Sequence, residues 1–264
     1  MLNCITYNGN LGSSPSPSEF ILILIMEVNK IYTWDCLRIL RGGEILKNVN
    51  LVITDPPYQF VNNVEPSWWW FIKEQKKQLV NEIRDNFWLD YNPIEMLECI
   101  REWMDKFNWY FFTNRFTLPL YIKWIEKYNY KWDLLLWLKP NPMPIFKSHF
   151  LFDKEYCVYI HDSWTTWNSN LWYKNYFTYE SHPIWSRKYD HPTVKPLEFI
   201  ERLIKISSNE WDTVLDCYLW SWTTAVACKN TNRNYIWIEI NPEYVALAEN
   251  RLREVDVLNQ QRLF

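Results

Sequence analysis

The sequence predicts a single α/β domain with a mostly parallel β-sheet and helices on both of its faces. Short apolar runs of strand length, at 51–54, 213–216 and 234–239, are separated by longer segments of helical character. The last two runs flank a helix predicted from Thr223, so this part of the chain forms a strand–helix–strand unit. The length of 264 residues suits one such domain of generous size.

The first predicted element of the domain is a strand followed by an acidic turn and a helix. In IYTWDCLRIL (31–40) an apolar strand precedes Asp35, and a helical segment follows it. Residues 1–25 are expected to be a disordered or non-native extension, because they contain the turn-rich stretch NGNLGSSPSPS. The domain is therefore expected to cover residues 26–264, with Met26 as a candidate true start.

The middle of the chain is predicted to alternate helices and strands. Apolar residues at helical spacing indicate two helices, and apolar runs indicate two strands. In chain order these are a helix at 93–106, a strand at 109–113, a helix at 116–128, and a strand with a Pro-rich turn at 132–144. Residues 145–190 are rich in Tyr, Asn and Ser and are predicted to be a long, loop-rich region.

Composition excludes several classes of protein. The apolar run at 20–26 is far shorter than the ~20 residues that cross a bilayer, so no membrane span is predicted. A signal peptide requires a basic segment before its apolar run, and none precedes this one, so a cytoplasmic protein is expected. The six Cys form no C-x-x-C pair, so neither a metal site nor a disulfide is predicted. The net charge of −3 gives no general attraction for nucleic acid, although local basic patches matter more than the total.

The tetrapeptide Asp55-Pro56-Pro57-Tyr58, directly after the strand at 51–54, is the candidate catalytic site. Pro57 lacks an N–H, fixes its own φ and restricts Pro56, so the turn is rigid. The Asp55 carboxylate and the Pro56 carbonyl are then two acceptors for an exocyclic amine, and Tyr58 offers a ring face for stacking. This combination indicates chemistry on the amino group of a nucleobase turned out of its helix.

LVITDPPY (51–58) resembles the catalytic motif of the amino-group DNA methyltransferases, which methylate adenine at N6 or cytosine at N4. HPTVKP (191–196) and the strand–helix–strand unit after it resemble the S-adenosylmethionine site of the same family. The order, with the catalytic motif first, is similar to that of the circularly permuted beta group. The resemblance runs from about Lys30 to Arg253. It implies a circularly permuted, Rossmann-like methyltransferase fold with S-adenosylmethionine as the cofactor.

The resemblance also implies which residues contact the cofactor. Asp35 would contact its adenine moiety, although a role in capping the following helix is equally compatible with this acid. Glu239 closes the second strand of the strand–helix–strand unit, where an acid can accept hydrogen bonds from ribose hydroxyls. The implied set is Asp35, Thr193, Lys195, Asp216, Cys217, Tyr218, Trp220, Ser221, Trp222, Thr223, Glu239 and Asn241.

The residue at the head of the catalytic motif bears on the substrate. Within the family, an Asp there goes mostly with adenine N6, so the resemblance favours adenine in double-stranded DNA over cytosine N4. It also implies a target-recognition insertion at about 141–190, with a homodimer and a cognate restriction endonuclease as candidate partners. Methyltransferases acting on RNA or on protein glutamine use related motifs, but the C-terminal placement of the cofactor segment disfavours them.

The sequence departs from the family wherever glycine is expected. The cofactor turn is Gly-rich in the family, but here it contains Trp220 and Trp222, whose indoles would fill the space of the methionine part of the cofactor. Replacing thirteen of the 18 Trp would raise Gly from 4 to 17, near the usual ~7%. The thirteen positions are Trp34, Trp68, Trp69, Trp70, Trp88, Trp164, Trp167, Trp172, Trp185, Trp211, Trp220, Trp222 and Trp237.

We hypothesise that these thirteen positions are glycine in the natural protein, encoded by UGA triplets in a genetic code that reads UGA as glycine. UGG triplets at these positions of the gene would contradict the hypothesis. The alternative is a homologue with genuine tryptophans that binds DNA but has lost cofactor binding and catalysis.

Overall fold

The structure, a computed structural model, describes residues 27–42, 49–57, 92–104, 106–142, 150–151, 153–168, 174–179, 195–218 and 223–261. Within these residues the chain forms eight β-strands and six α-helices. The strands are β1 (Lys30–Thr33), β2 (Leu51–Thr54), β3 (Asn108–Thr113), β4 (Lys131–Leu138), β5 (Lys154–His161), β6 (Tyr176–Thr178), β7 (Thr213–Asp216) and β8 (Asn234–Glu239).

The helices alternate with most of these strands. They are α1 (Cys36–Gly42), α2 (Pro93–Trp103), α3 (Leu118–Tyr128), α4 (Leu197–Ser207), α5 (Thr223–Asn230) and α6 (Pro242–Gln261). Helix α3 begins two residues later than the sequence predicts, because the Asn114 side chain accepts hydrogen bonds from the N–H groups of Phe116 and Thr117 and holds them in a turn. None of the helices that the structure describes combines the length and apolarity that crossing a membrane requires.

The eight strands form one sheet in the order β1-β8-β7-β2-β3-β5-β4-β6. Five of its neighbouring pairs are parallel, and only the two pairs that involve β5 are antiparallel. The prediction of a mostly parallel sheet is therefore confirmed. Strands β2 and β7 are neighbours although 158 residues separate their ends in sequence, from Thr54 to Thr213, so the two halves of the chain meet at the centre of the sheet.

Two apolar clusters cover the two faces of the sheet. One cluster joins α1, α2 and α3 to the sheet, with Met96, Ile100 and Trp124 among its buried members. The other cluster joins α4, α5 and α6 to the opposite face, with Phe199, Leu203 and Leu252 among its buried members. Because every one of these helices buries an apolar side against the sheet, the predicted three-layer arrangement is confirmed.

Strand β5 is absent from the sequence-based prediction, which treated residues 145–190 as a loop-rich region. It lies between β3 and β4 and pairs with both along eight residues of β4 and six of β3. Its centre, from Cys157 to Ile160, is buried. The signal in the sequence is the apolar run YCVYI between charged residues, which is typical of a buried strand.

Two of the suspected glycine positions show features that suit glycine. The backbone of Trp211 is left-handed, with φ at 71°, and its backbone N–H donates to the Asn232 carbonyl at 2.7 Å. The residue is 69% exposed. A left-handed φ costs a residue with a Cβ of order 1 kcal/mol, and glycine adopts it freely. Trp237 is fully buried, and its indole Nε1 has no hydrogen-bond partner among the described residues. These two observations support the glycine hypothesis at 211 and 237.

Candidate active site

Four neighbouring parallel strands, β1, β8, β7 and β2, end at one edge of the sheet, and an acid lies at the end of each. Asp216 and Glu239 are the last residues of β7 and β8, Asp55 directly follows β2, and Asp35 lies two residues beyond β1. Ligands of open α/β sheets bind outside the carboxyl ends of the strands. The candidate catalytic residue Asp55 and the candidate cofactor residues Asp216 and Glu239 therefore lie at the same edge of the sheet.

A direct hydrogen bond joins β2 to β7, the strands that precede the candidate catalytic and cofactor residues. The Thr54 hydroxyl donates to Asp216 Oδ1 at 2.9 Å, and both residues are buried. The pairing of Leu51 with Val214 and of Val52 with Leu215 sets this register. Because Asp55 follows Thr54 in the chain, the two candidate motifs are held side by side.

Asp55 faces a buried lysine. Lys195 Nζ lies 2.8 Å from Asp55 Oδ2, and the two side chains are 3% and 9% exposed respectively. The family resemblance implies a cofactor contact for Lys195, but its ammonium group lies against the candidate catalytic carboxylate. Its backbone carbonyl accepts a hydrogen bond from the Thr223 hydroxyl at 3.1 Å, at the start of α5.

Lys195 also pairs with a second acid, Glu155, which no sequence motif indicates. Its Nζ is 2.8 Å from Glu155 Oε2 on β5, and Lys139 Nζ pairs with the other oxygen of Glu155. Burial alone would raise the pKa of Glu155, but the two ammonium groups outweigh it and lower the pKa to about 2. Burial likewise opposes the charge of Lys195, yet Asp55 and Glu155 raise the pKa of Lys195 above its usual value. Glu155 and Lys195 are therefore both charged at neutral pH.

Asp216 is a buried acid whose pKa is raised, in contrast to the lowered pKa of Glu155. It accepts hydrogen bonds from the Thr54 hydroxyl and from the N–H of Tyr218, the latter at 3.1 Å. Burial dominates these favourable contacts and, with a contribution from the nearby charge of Asp55, raises the pKa of Asp216 to about 7. Cys217 is buried beside it and lies next to Cys36 of α1.

Glu239 is buried at the end of β8, and its backbone carbonyl accepts from the N–H of Trp34 at 3.1 Å. Its side chain accepts from the Asn241 N–H at 2.8 Å. Burial raises the pKa of Glu239 to about 7, since no lysine or arginine of the described chain forms an ion pair with it. A buried carboxyl group that lacks a cation in these segments suits a polar ligand with hydroxyl donors.

We predict that Glu239→Gln stabilises the protein at alkaline pH. An unfolded Glu titrates near 4.5 and the folded Glu239 near 7, so the folded state binds more protons between these values. The free energy of unfolding therefore falls as the pH rises from about 4.5 to 7, and stays lowered above it. Glutamine removes this penalty of roughly 3 kcal/mol at pH 8 and leaves stability at pH 4 nearly unchanged.

Urea unfolding of Glu239→Gln at pH 4 and pH 8 measures this difference. The matched control is Glu243→Gln, which removes an exposed carboxylate four residues away on α6. A gain in stability that is equal at both pH values, or that the control reproduces, would contradict the assignment of the penalty to the burial of Glu239.

The structure places the remaining predicted residues as follows. Asp35 Oδ1 accepts from the Arg38 N–H at 2.7 Å and so caps α1, which is one of the two roles expected of it. Asn241 Oδ1 accepts from the Glu243 N–H at 2.8 Å near the start of α6. Pro56 and Pro57 lie at the same edge as Asp55, directly after β2. Tyr58, Thr193, Trp220, Ser221 and Trp222 lie outside the described residues.

Known proteins share both the sequence pattern and the fold. The profile of the N6/N4 methyltransferase family, described as DNA methylase, matches residues 49–250. The chain is similar to the type II methyltransferase M1.MboII of Moraxella bovis, with 44% identity over 70 residues, but this covers only 26% of the chain and 27% of that protein. Similarity to M2.MboI, a type II methyltransferase of the same organism, is 25% over 258 residues, covering 85% of the chain and 88% of that protein.

The fold is similar to that of the M1.HpyAVI–SAM complex, with a TM-score of 0.63 and 24% identity over 84% of this chain and 98% of that one. At this level of identity the likeness establishes the fold. The fold is thus the Rossmann-like one of the S-adenosylmethionine-dependent DNA methyltransferases, as predicted. Since the family profile spans most of the chain, including β2 with the acid after it and both β7 and β8, the chain belongs to the N6/N4 DNA methylase family.

Proposed function

We propose that the protein transfers a methyl group from S-adenosylmethionine to N6 of an adenine that is flipped out of double-stranded DNA. The observation that carries this proposal is the hydrogen bond between Thr54 and Asp216, which holds the candidate catalytic carboxylate beside the candidate cofactor strand. The family includes enzymes for adenine N6 and for cytosine N4. The aspartate at position 55 favours adenine, by resemblance to the family motif.

The described residues suit a cofactor that contains adenosine. Glu239 is a buried acceptor for the ribose hydroxyls, and Asp35 lies at the neighbouring strand end, where the adenine would bind. Asp216, Cys217, Tyr218, Thr223 and Asn241 surround the edge between them, and we propose that they complete the site together with Lys195 and Thr193. When bound there, S-adenosylmethionine supplies an electrophilic methyl group on a positively charged sulfur.

The protein's own residues act mainly by positioning the target amine. Asp55 accepts a hydrogen bond from the amino group, as does the Pro56 carbonyl, while Tyr58 stacks on the base. These contacts draw the nitrogen lone pair out of conjugation with the ring and direct it towards the edge of β7. Because the acceptors are held in place before the base arrives, they stabilise the charge that develops on the nitrogen. Flipping the base costs a few kcal/mol, which contacts in the pocket must offset.

Substrate recognition is proposed for the range 141–190. Strands β5 and β6 lie within this range and belong to the sheet, so the DNA contacts are assigned to the segments between them and after β6. The domain is proposed to cover 26–264, with 1–25 as an extension. Partners proposed from the family are double-stranded DNA, a second copy of the chain and a cognate restriction endonuclease, all in the cytoplasm.

Product analysis tests the substrate and the position of methylation. The full-length protein is incubated with duplex DNA and a deuterium-labelled methyl donor, and the DNA is digested to nucleosides for mass spectrometry. We expect the label in N6-methyladenine. Label in N4-methylcytosine instead would establish the alternative specificity, and label only in an RNA or protein control substrate would overturn the proposal of a DNA methyltransferase. A protein that binds DNA and transfers no label, even with glycine at the thirteen positions, would be the inactive homologue.

A further inference from the structure

A row of alternating charges, with Lys195 buried and the other three side chains partly buried, ends at Asp55. Lys195 lies 2.8 Å from both Asp55 Oδ2 and Glu155 Oε2, and Lys139 pairs with Glu155 Oε1. The four groups come from four parts of the fold: the turn after β2, the entry to α4, strand β5 and the end of β4. Their formal charges sum to zero, so each ammonium group has a carboxylate beside it.

The row is a costly arrangement if its purpose is stability alone. Removing charged groups from water carries a penalty of several kcal/mol per ion, and apolar residues of similar size stabilise a core at least as well. The Phe112 ring lies 4.8 Å from Lys195 Nζ, so the ammonium group is enclosed by apolar as well as charged neighbours. These neighbours restrict the ammonium group of Lys195 to one position, where it contacts the carboxylate of Asp55 that we assign to the reaction.

We propose that Lys195 is a positioning residue for Asp55, and that Glu155 and Lys139 hold Lys195 in place. By engaging Oδ2, the ammonium group fixes the plane of the carboxylate and directs Oδ1 to accept from the target amine. It also keeps Asp55 ionised, which is required because a protonated carboxyl group would present a donor to the amine. This inference rests on the proposed function and deepens it by assigning a role outside the Asp-Pro-Pro-Tyr motif.

Two other titratable groups near Asp55 carry no positive charge that could hold it ionised. The carboxyl group of Asp216 interacts with Asp55 across β2 and β7, and the Cys157 thiol interacts with it from β5. Burial raises the pKa of both of these groups, and the charge of Asp55 adds to the effect. Among these described neighbours, Lys195 is the cation in contact with Asp55, so its removal is expected to change the protonation of the site.

The key variant is Lys195→Met combined with Glu155→Gln, in the full-length form of the chain that methylates DNA. Lys195→Met alone leaves two buried carboxylates without their shared cation and is expected to destabilise the fold. Adding Glu155→Gln removes one of these charges and keeps the residue's shape, so the double variant separates folding from positioning. Lys154→Met is the matched control. Lys154 is an exposed lysine of β5, next to Glu155, and it pairs with Asp153.

The readout is the single-turnover rate of methyl transfer between pH 5 and pH 9. In the double variant we expect the acid limb of the profile to move up by about 1–3 pH units, since a neighbouring cation shifts a carboxylate by this amount. The rate at pH 9 stays roughly tenfold or more below that of the parent protein, because the carboxylate is ionised but no longer oriented. Lys195→Arg, which keeps a permanent positive charge, is expected to return the acid limb close to its original position.

A double variant that folds and has the pH profile of the parent protein would overturn the positioning role while leaving the proposed function intact. An arginine variant whose acid limb moves as far as that of the methionine variant would overturn it as well. If the parent protein transfers no methyl group with either tryptophan or glycine at the thirteen positions, both proposals fail together. The Lys154→Met control is expected to match the parent in every measurement.

Discussion

Replacing the thirteen suspected tryptophans by glycine is expected to strengthen the binding of S-adenosylmethionine. In the sequence Trp220 and Trp222 come between β7 and α5, at positions where the family motif that the chain resembles has glycine. An indole there competes for the space of the ligand. We expect the affinity to rise at least about 100-fold, which is roughly 2.7 kcal/mol of binding free energy. Isothermal titration of both forms with the cofactor measures it.

A matched control separates the binding site from the rest of the fold. A variant that carries glycine at the other eleven positions, with Trp220 and Trp222 retained, should gain stability at sites such as Trp211, where φ is 71°, without gaining affinity. Equal affinity of the tryptophan and glycine forms would contradict the hypothesis and make the tryptophans compatible with an active protein. The codons of the gene supply an independent answer, since the hypothesis requires UGA at all thirteen positions.

The sequence was sufficient to predict the strands that carry the acids of the candidate site. Strands β2, β7 and β8 are short apolar runs that end in or just before an acid, and this pattern is local. Parallel strands with helical crossovers place their carboxyl ends together, so the sequence pattern alone puts Asp55, Asp216 and Glu239 at one edge of the sheet. The neighbouring position of β2 and β7, which the Thr54–Asp216 hydrogen bond secures, is the structural result that this reasoning required.

The charge row behind Asp55 could not be predicted from the sequence. Glu155 is 100 positions from Asp55 in the chain, and it is brought near only because β5 inserts between β3 and β4. A charged residue near the start of a strand is usually solvated, so Glu155 does not stand out among the many charged residues of the sequence. Lys195 was singled out by resemblance, but the partner of its side chain depended on antiparallel pairings whose register no local pattern specifies.

Loss of catalysis without loss of the fold is the expected result of Asp55→Ala. The substitution removes the acceptor for the target amine, while Lys195 keeps its ion pair with Glu155. We expect the rate of methyl transfer to fall by about 100- to 1000-fold, as when a preorganised hydrogen-bonding group is removed from an active site. Cofactor affinity is expected to change less than about threefold, because that site is assigned to the neighbouring strand ends. Asp153→Ala, which removes an exposed acid, is the control for a general effect of charge.

The rate of methyl transfer to duplex DNA by the Asp55→Ala variant therefore tests most directly whether a base amine is held at the end of β2. The measurement compares this variant with the parent protein, both with glycine at the thirteen positions, under single-turnover conditions and with equal cofactor occupancy. We predict that the parent methylates adenine and that the variant, although folded and loaded with cofactor, is nearly inactive. A variant that methylates adenine within tenfold of the parent rate would show that the amine is held elsewhere.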